Sequence, residues 1–317
     1  MQGGIKRKQG TVIKRKSIWK DHASWSLLLL CIPAIVGYIL FNYIPIVVSF
    51  TIPFRDYKFS KGILGSDWVG LNNFKWLLGN ANVLRALRNT FLYGLWFVII
   101  CPIVNVAFAL LLFEIKSRKA LKVYQTSITL PNFMSMVIVG YITYALLSPR
   151  SGVLNQIVQM FGGDGVDVYT RAGYWPVILT IVNLWKSVGM GSLMYYASLM
   201  GIDTALYEAA EIDGATRWEK MKYISIPHLM SLVCIFAILG ADDLIKGNFD
   251  LFYVIPRDVG MLYETTDILN TYTYRALASG SYAMGATVGF VQSIVGLILV
   301  VGANAIVNRI SPEHAMF

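Results

Sequence analysis

The chain has 317 residues, of which 56% are apolar and 14% are charged. A soluble domain carries roughly a quarter charged residues, so the composition excludes an ordinary soluble protein and indicates a polytopic membrane protein. The formal net charge is +9, but the basic residues crowd beside apolar runs rather than on a polar domain with stacking aromatics, which argues against nucleic-acid binding.

Six apolar stretches, each near or above the roughly 20 residues needed to cross a bilayer core, predict six transmembrane helices. The first follows a basic amino-terminal tail, residues 1–23, and is too long for a signal-peptide core of about 7 to 15 residues, so we expect it to be retained. The fourth is interrupted by Lys186. The predicted fold is an all-α polytopic membrane protein with spans at 24–54, 89–113, 123–149, 172–202, 223–241 and 276–308.

The distribution of lysine and arginine predicts the orientation. These residues cluster in the amino-terminal tail and again between the second and third spans. Because short basic segments stay in the cytoplasm, six crossings place both termini there, together with the segment between the fourth and fifth spans. The opposite loops, at about 55–88, 150–171 and 242–275, are predicted to lie outside the cell.

The segment between the fourth and fifth spans reads as two helices joined by a glycine turn. Asp203 is a good N-cap for "TALYEAAEID", and Gly214 suits the end of that helix. Thr216 and Glu219 fit the capping-box pattern that starts "RWEKMKYI". An amphipathic element on the membrane surface is the competing interpretation. Its acidic residues would be repelled by an anionic inner leaflet, so docking into a basic cleft of a soluble protein is favoured.

This segment resembles the EAA motif of permease subunits in binding-protein-dependent ABC importers. That motif is E-A-A, three residues, G, nine residues, then I-x-L-P, and the chain departs from it in having Ile226 in place of leucine. The matching residues are Glu208, Ala209, Ala210, Gly214, Ile224 and Pro227.

Residues 24–317 as a whole are similar to the sugar-type permeases, closest to those for polysaccharide-derived oligosaccharides related to the maltose-type permeases. The similarity is carried by "ALRNTF" (86–91), "LPNFMSMVIVGYI" (130–142), "LWKSVGMGSLMYYASLMGID" (184–203) and the segment 271–300. Asn270 departs from the subgroup, which commonly has aspartate before "TYxYR".

The resemblance implies a transmembrane domain at 24–317 whose coupling-helix hairpin, the EAA loop at 203–227, docks on a separate ABC ATPase dimer. Glu208 would contact the ATPase, Ala209 and Ala210 would permit close packing, and Gly214 would permit the turn. It also implies a second permease subunit, usually a different chain, and an extracellular solute-binding protein that delivers the oligosaccharide to the bacterial cell membrane.

The sequence has no G-x-x-x-x-G-K-[ST] phosphate loop, so ATP and Mg are expected on the partner ATPase and no cofactor on this chain. Serine, cysteine and histidine residues form no local arrangement typical of an enzyme. The three cysteines and three histidines share no ligand spacing, so no metal site is predicted.

Polar groups within spans are costly and often functional, and sugars stack on aromatic rings. These two properties select candidates for the substrate path, although helix packing competes for each of them. The candidates are Trp96, Tyr141, Tyr144, Asn183, Trp185 and Lys186. Two alternatives stay open: an ABC permease for a non-sugar solute, and a secondary transporter driven by an ion gradient, which would leave the EAA spacing unexplained.

Overall fold

The computed structural model describes residues 22–240 and 243–310, and almost all of the predicted basic tail lies outside them, as do the last seven residues. The described chain is mostly helical, with one short antiparallel pair of strands, β1 (Arg55–Asp56) and β2 (Asp67–Trp68). The α-helices are α1 (His22–Tyr38), α2 (Ile44–Ser49), α3 (Gly62–Gly65), α4 (Asn72–Gly79), α5 (Ala81–Phe113), α6 (Arg118–Thr129), α7 (Met136–Leu147), α8 (Val153–Met160), α9 (Trp175–Leu199), α10 (Thr204–Ile212), α11 (Arg217–Lys220), α12 (Ile226–Leu239), α13 (Asp243–Lys246), α14 (Phe249–Val254), α15 (Tyr263–Thr266), α16 (Leu269–Ala278) and α17 (Tyr282–Ile310).

Within the described residues, five helical stretches are long and apolar enough to cross a membrane. A sixth crossing arises if two helices bent by 98° count as one span. The chain therefore has the predicted architecture of an all-α polytopic membrane protein. The five stretches are Leu28–Phe54, Ala81–Phe113, Ala172–Leu199, Arg217–Leu239 and Tyr282–Ala305, and the bent pair is Arg118–Phe133 with Met136–Leu147.

The bent pair corrects the third predicted span, because residues 123–149 do not form one straight helix. The chain leaves α6 through a 3-10 turn, Leu130–Phe133, whose Pro131 has no backbone N–H. The ammonium group of Lys186 in α9 then donates to the carbonyl oxygens of Asn132 (3.0 Å) and Met134 (2.8 Å). The bend therefore frees carbonyls that a charged side chain satisfies, which is how a break is tolerated inside a membrane.

Two other predicted boundaries are wrong. The second span begins at Ala81 rather than at residue 89, because the side chain of Asn80 caps the helix by accepting the N–H groups of residues 82 and 83. The sixth begins at Tyr282 rather than at residue 276, since α16 ends first and Gly280 turns the chain with φ +80°.

The helix of the fifth span also starts earlier than predicted. One continuous helical run extends from Arg217 through a π-helical turn, Met221–Ser225, into α12. Pro227 follows this turn directly. A proline in an α-helix clashes with the carbonyl four residues earlier, and the wider turn before it removes that clash without ending the helix.

Residues 22–51 form a unit of their own, which is helical from α1 through α2. A second π-helical turn, Ile39–Tyr43, lies in this unit, directly before the segment that contains Pro45. The apolar side chains of this unit are largely exposed, as expected for a helix that faces lipid or another subunit.

From Ile52 onward, α9 is the central element. Its buried residues Trp175 and Leu179 belong to one apolar cluster, and Tyr195 and Leu199 to another. A Cβ atom at Gly189 would overlap the carbonyl group of Ile128 in α6. Because no larger side chain fits at that contact, the glycine allows α9 to lie directly against the broken third span.

Candidate functional site

The segment 203–227, which we call the hairpin, begins with a helix that is capped at both ends. The carboxylate of Asp203 caps the start of α10. After its end, Gly214 adopts φ +79° and donates its N–H to the carbonyl of Glu211 (3.1 Å), while Ala215 donates to Ala210 (2.9 Å). This pair of bonds is a Schellman motif, which needs a residue that tolerates left-handed backbone. Gly214 therefore fixes the turn.

The second arm of the hairpin starts with the predicted capping box. The Thr216 N–H donates to the Glu219 carboxylate (2.7 Å), and the Glu219 N–H donates to the Thr216 hydroxyl (3.3 Å). A bond from Lys220 to Glu211 (3.4 Å) joins the two arms. This arm is not a separate short helix, because it runs through the π-helical turn into α12. A displacement of the arm therefore displaces α12.

Side chains also attach the hairpin to the membrane helices. The hydroxyls of Tyr207 and Ser225 lie 2.9 Å apart, and Arg217 reaches Glu114, just beyond α5, at 3.8 Å. Ile224 packs against the apolar cluster that includes Tyr195 and Leu229. The hydroxyl bond is partly buried and the ion pair is exposed, so the packing and the Tyr207 contact contribute more to stability than the ion pair does.

The outer surface of the hairpin combines acidic and apolar groups. Leu206, Ile212 and Trp218 are 56%, 87% and 65% exposed. Large exposed apolar side chains with polar groups around them mark sites of contact with a protein or a membrane. Among the residues matched to the motif, Glu208, Ala209, Gly214 and Pro227 are exposed, and Ala210 and Ile224 are half-buried.

A cavity between the membrane helices, which we call the central cavity, has a volume of about 440 Å³. It lies between α5, α9 and α12 and is closed by the segment that leads into α14. Aromatic rings line it: the Tyr93 ring centroid lies 6.0 Å from that of Phe97 and 4.6 Å from that of Phe252. Mostly apolar walls with a few polar groups are typical of small-molecule sites.

Two polar atoms at the central cavity are left unpaired. The Tyr93 hydroxyl and the Asn105 carbonyl oxygen are buried and have no hydrogen-bond partner in the part of the chain that the structure describes. Buried polar atoms normally find a partner, so these two suit a ligand hydroxyl or a water molecule. Neither residue is among the six sequence-based candidates for the substrate path, although Asn105 is one of the polar residues inside the predicted second span. The sequence signal that could have identified them is a spacing of four residues along α5. This spacing places four cavity-lining residues on one helix face: Tyr93, Phe97, Cys101 and Asn105.

The structure separates the residues that were predicted to line the substrate path. Of the six, Asn183 lines the central cavity, where its amide contacts the Cys101 sulfur at 3.6 Å. Trp96 lines a groove between α5 and α9 and donates to the Thr180 hydroxyl (3.1 Å).

The remaining candidates lie elsewhere. Tyr141 and Tyr144 share a separate pocket beside Arg257. Lys186 holds the bend of the third span, which places Asn132 at the cavity wall. Trp185 is exposed and lines none of the cavities described.

A buried charge cluster stabilises the start of α16. The carboxylate of Asp267 accepts hydrogen bonds from Arg275 and from Thr271 (2.8 Å), and Arg85 lies 3.7 Å away. Burial alone would lower the pKa of Arg275, but the hydrogen bond and the charge of Asp267 raise this pKa above the ordinary arginine value. Asn270, which departs from the subgroup pattern, accepts a bond from Gln292 (3.2 Å) instead of carrying a charge.

A family model described as the inner membrane component of binding-protein-dependent transport systems matches residues 78–312. The chain belongs to this family. It is a permease, a transport subunit rather than an enzyme, and a multi-pass protein of the cell membrane.

Individual relatives extend the match over nearly the whole permease. The polygalacturonan/rhamnogalacturonan transport system permease protein YteP of Bacillus subtilis is 33% identical over 289 residues, which are 90% of this chain and 89% of YteP. Protein LplB of the same organism is 31% identical over 291 residues, or 90% of each chain. A crystal structure of a bacterial ABC transporter that imports the acidic polysaccharide alginate superposes with a TM-score of 0.84 and 29% identity, covering 93% of this permease and 99% of that chain.

Proposed function

We propose that this permease forms part of the translocation path of an ABC importer for an oligosaccharide, and that the hairpin couples it to a separate ATPase. One observation carries the proposal. The second arm of the hairpin and α12 are one continuous helix, and Phe236, Ala237 and Gly240 at the far end of that helix line the central cavity. The docking surface and the cavity wall therefore move together.

In this mechanism the ATPase dimer holds ATP and Mg, and its closure displaces the hairpin. The acid Glu208 and the exposed Ile212 would enter a cleft of the ATPase, while the Gly214 turn keeps the two arms in register. Because α12 continues from the second arm, the displacement reaches the cavity as a rigid-body step between two states. The hairpin and both termini face the cytoplasm in this proposal, and a second permease subunit, usually a different chain, completes the path.

The central cavity supports a sugar as cargo. The rings of Tyr93, Phe97 and Phe252 offer apolar faces for stacking, and the unpaired Tyr93 hydroxyl and Asn105 oxygen suit sugar hydroxyls. Asn183 adds a third polar group. The cargo of the similar systems, polygalacturonan/rhamnogalacturonan and alginate, supports an oligosaccharide delivered by an extracellular solute-binding protein.

Reconstitution tests the proposal. The permease, its partner permease and the ATPase are placed in proteoliposomes, and ATP hydrolysis and uptake are measured with solute-binding protein loaded with oligosaccharides, amino acids or peptides. We expect stimulation and ATP-dependent uptake with an oligosaccharide. Uptake driven by a proton or sodium gradient without ATP would contradict coupling to an ATPase. Stimulation only by a non-sugar solute would contradict the cargo.

A further inference from the structure

A second pocket, separate from the central cavity, lies between α7 and the turn after α14. We call it the Arg257 pocket. Its volume is about 240 Å³, and its polar groups come from Tyr141, Tyr144, Tyr253, Arg257 and Asp258. Tyr141 and Tyr144 are three residues apart on α7 and therefore share one face of that helix.

Close packing forms the floor of this pocket. A Cβ atom at Gly140 would lie 2.9 Å from a methyl carbon of Val254 and 3.4 Å from its carbonyl oxygen, so α7 and the end of α14 are in close contact there. This contact holds α7, with its two tyrosines, close to the turn that carries Arg257. The pocket is part of the packed structure rather than a gap between loosely held segments.

The backbone of the turn is strained where the pocket is charged. Arg257 and Asp258 both adopt left-handed conformations, with φ +59° and +49°. Residues in this conformation are destabilising and persist where surrounding contacts hold them, often at functional sites. Two such contacts hold this turn: the Asp258 carboxylate accepts hydrogen bonds from the Tyr263 hydroxyl (2.9 Å) and from Arg275 (2.9 Å).

These contacts leave the positive charge of the pocket unmatched. Asp258 is paired with Arg275, and among the described residues no carboxylate forms an ion pair with Arg257. The Arg257 guanidinium instead lies 4.2 Å from the centroid of the Tyr144 ring. A guanidinium stacked on an aromatic face keeps its N–H donors free for a planar anion, and it pairs with carboxylates through two parallel hydrogen bonds.

We propose that the Arg257 pocket is a subsite for a carboxylated sugar residue of the transported oligosaccharide. The carboxylate pairs with Arg257, and the apolar face of the sugar ring stacks on Tyr141, which is 68% exposed. The proposal rests on an oligosaccharide as cargo and adds the chemical class of that cargo. A neutral sugar would use the tyrosine but would leave the guanidinium unpaired.

Matched pairs of sugars test the charge directly. The probes are trisaccharides of galacturonate and of mannuronate, each beside its carboxyl-reduced neutral form, and equilibrium binding to the complete purified importer is measured separately from uptake. We expect the wild-type importer to bind at least one acidic form about tenfold more tightly than its neutral form, the ratio that one charge-assisted hydrogen-bond pair supplies. Binding of every acidic form no tighter than that of its neutral form overturns the proposal.

Variants assign the effect to the pocket. Arg257→Gln should abolish the preference and leave binding of the neutral form unchanged, and Arg257→Lys should restore part of it. Tyr141→Ala should weaken both forms alike. Arg150→Gln, which removes an exposed charge just beyond α7, is the matched control. It should change binding of neither the acidic nor the neutral form.

Two results count against the subsite. An equal loss for both forms in Arg257→Gln would show that the arginine is only structural. A loss confined to docking of the solute-binding protein would assign the arginine to that contact. Failure of the importer function itself is distinguishable, because it would abolish ATP-dependent uptake of neutral and acidic sugars together.

Discussion

The hairpin and the central cavity are built in opposite ways. The hairpin is one stretch of chain, residues 203–227, whose shape is fixed by local bonds such as the capping box of Thr216 and Glu219. The central cavity is assembled from residues between Thr90 and Ile268 on separate helices. Its shape depends on how those helices pack. Substitutions in the hairpin should therefore alter the coupling of ATP hydrolysis to uptake and leave the fold and the sugar preference unchanged. Substitutions at the central cavity should alter the fold or the sugar affinity and leave attachment of the ATPase unchanged.

The largest effect is expected where α9 meets the third span. Gly189→Ala places a methyl group against the Ile128 carbonyl, and overpacking of this kind costs about 1–3 kcal/mol or more. We expect a clearly lower melting temperature of the purified complex and a low yield. Gly289→Ala in α17, where nothing lies within 4 Å of the added atom, is the control and should melt like the wild type. Equal melting of both variants would show that α9 does not depend on this contact.

The next effect should uncouple the importer without unfolding it. Gly214→Val forces a β-branched side chain into the φ +79° turn, which costs about 1–3 kcal/mol and should splay the two arms. We expect ATP hydrolysis that no longer drives uptake, or loss of the ATPase during purification. Gly162→Val introduces the same strain at φ +77°, in an open loop after α8, and should leave coupling intact. Wild-type uptake by the Gly214 variant would contradict a role for this turn.

A smaller effect is expected from the exposed acid of the motif. Glu208→Ala leaves the fold unchanged, because the side chain is exposed, but removes a charge from the proposed contact. We expect ATPase affinity to fall about tenfold, as for a charged hydrogen bond lost at an interface. Asp213→Ala, another exposed acid of the hairpin outside the motif, serves as the control in the same copurification assay. If the two variants retain the ATPase equally well, Glu208 is not the specific contact.

The smallest effect should appear at the central cavity. Tyr93→Phe keeps the ring that packs on Phe252 and removes only a hydroxyl that has no partner among the described residues. Loss of one neutral hydrogen bond to a sugar should weaken sugar affinity by about two- to tenfold. Melting temperature and ATPase attachment should not change. A change in stability instead of affinity would mean that the hydroxyl serves the fold.

The same contrast explains what the sequence could predict. The caps of the hairpin were predictable because each needs only residues within three or four positions, such as Thr216 with Glu219. The break in the third span was not, because Lys186 lies 54 residues from the carbonyl of Asn132 that it satisfies. A count of apolar residues cannot detect a contact of that kind.

The other errors have different causes. The start of α5 was placed too late because Arg85 and Arg88 interrupt the apolar run, although Asn80 caps the helix before them. The fifth span was predicted to begin at residue 223, after the charged residues of the hairpin, whereas the π-helical turn at Met221–Ser225 lets one helix continue from Arg217. The unpaired atoms of Tyr93 and Asn105 become evident only when the packed helices show that no neighbour satisfies them.

In the proposed coupling mechanism, the continuous helix from Arg217 to Leu239 would act as a lever arm. It contains 23 residues and is therefore about 34 Å long, so tilting it by about 10° around one end moves the other end by about 6 Å. That distance is comparable to the width of one sugar ring. Under the proposed mechanism, a small angular change at the hairpin would therefore open a passage of useful size. The stiffness of the π-helical turn at Met221–Ser225 would determine how much of that displacement reaches the central cavity.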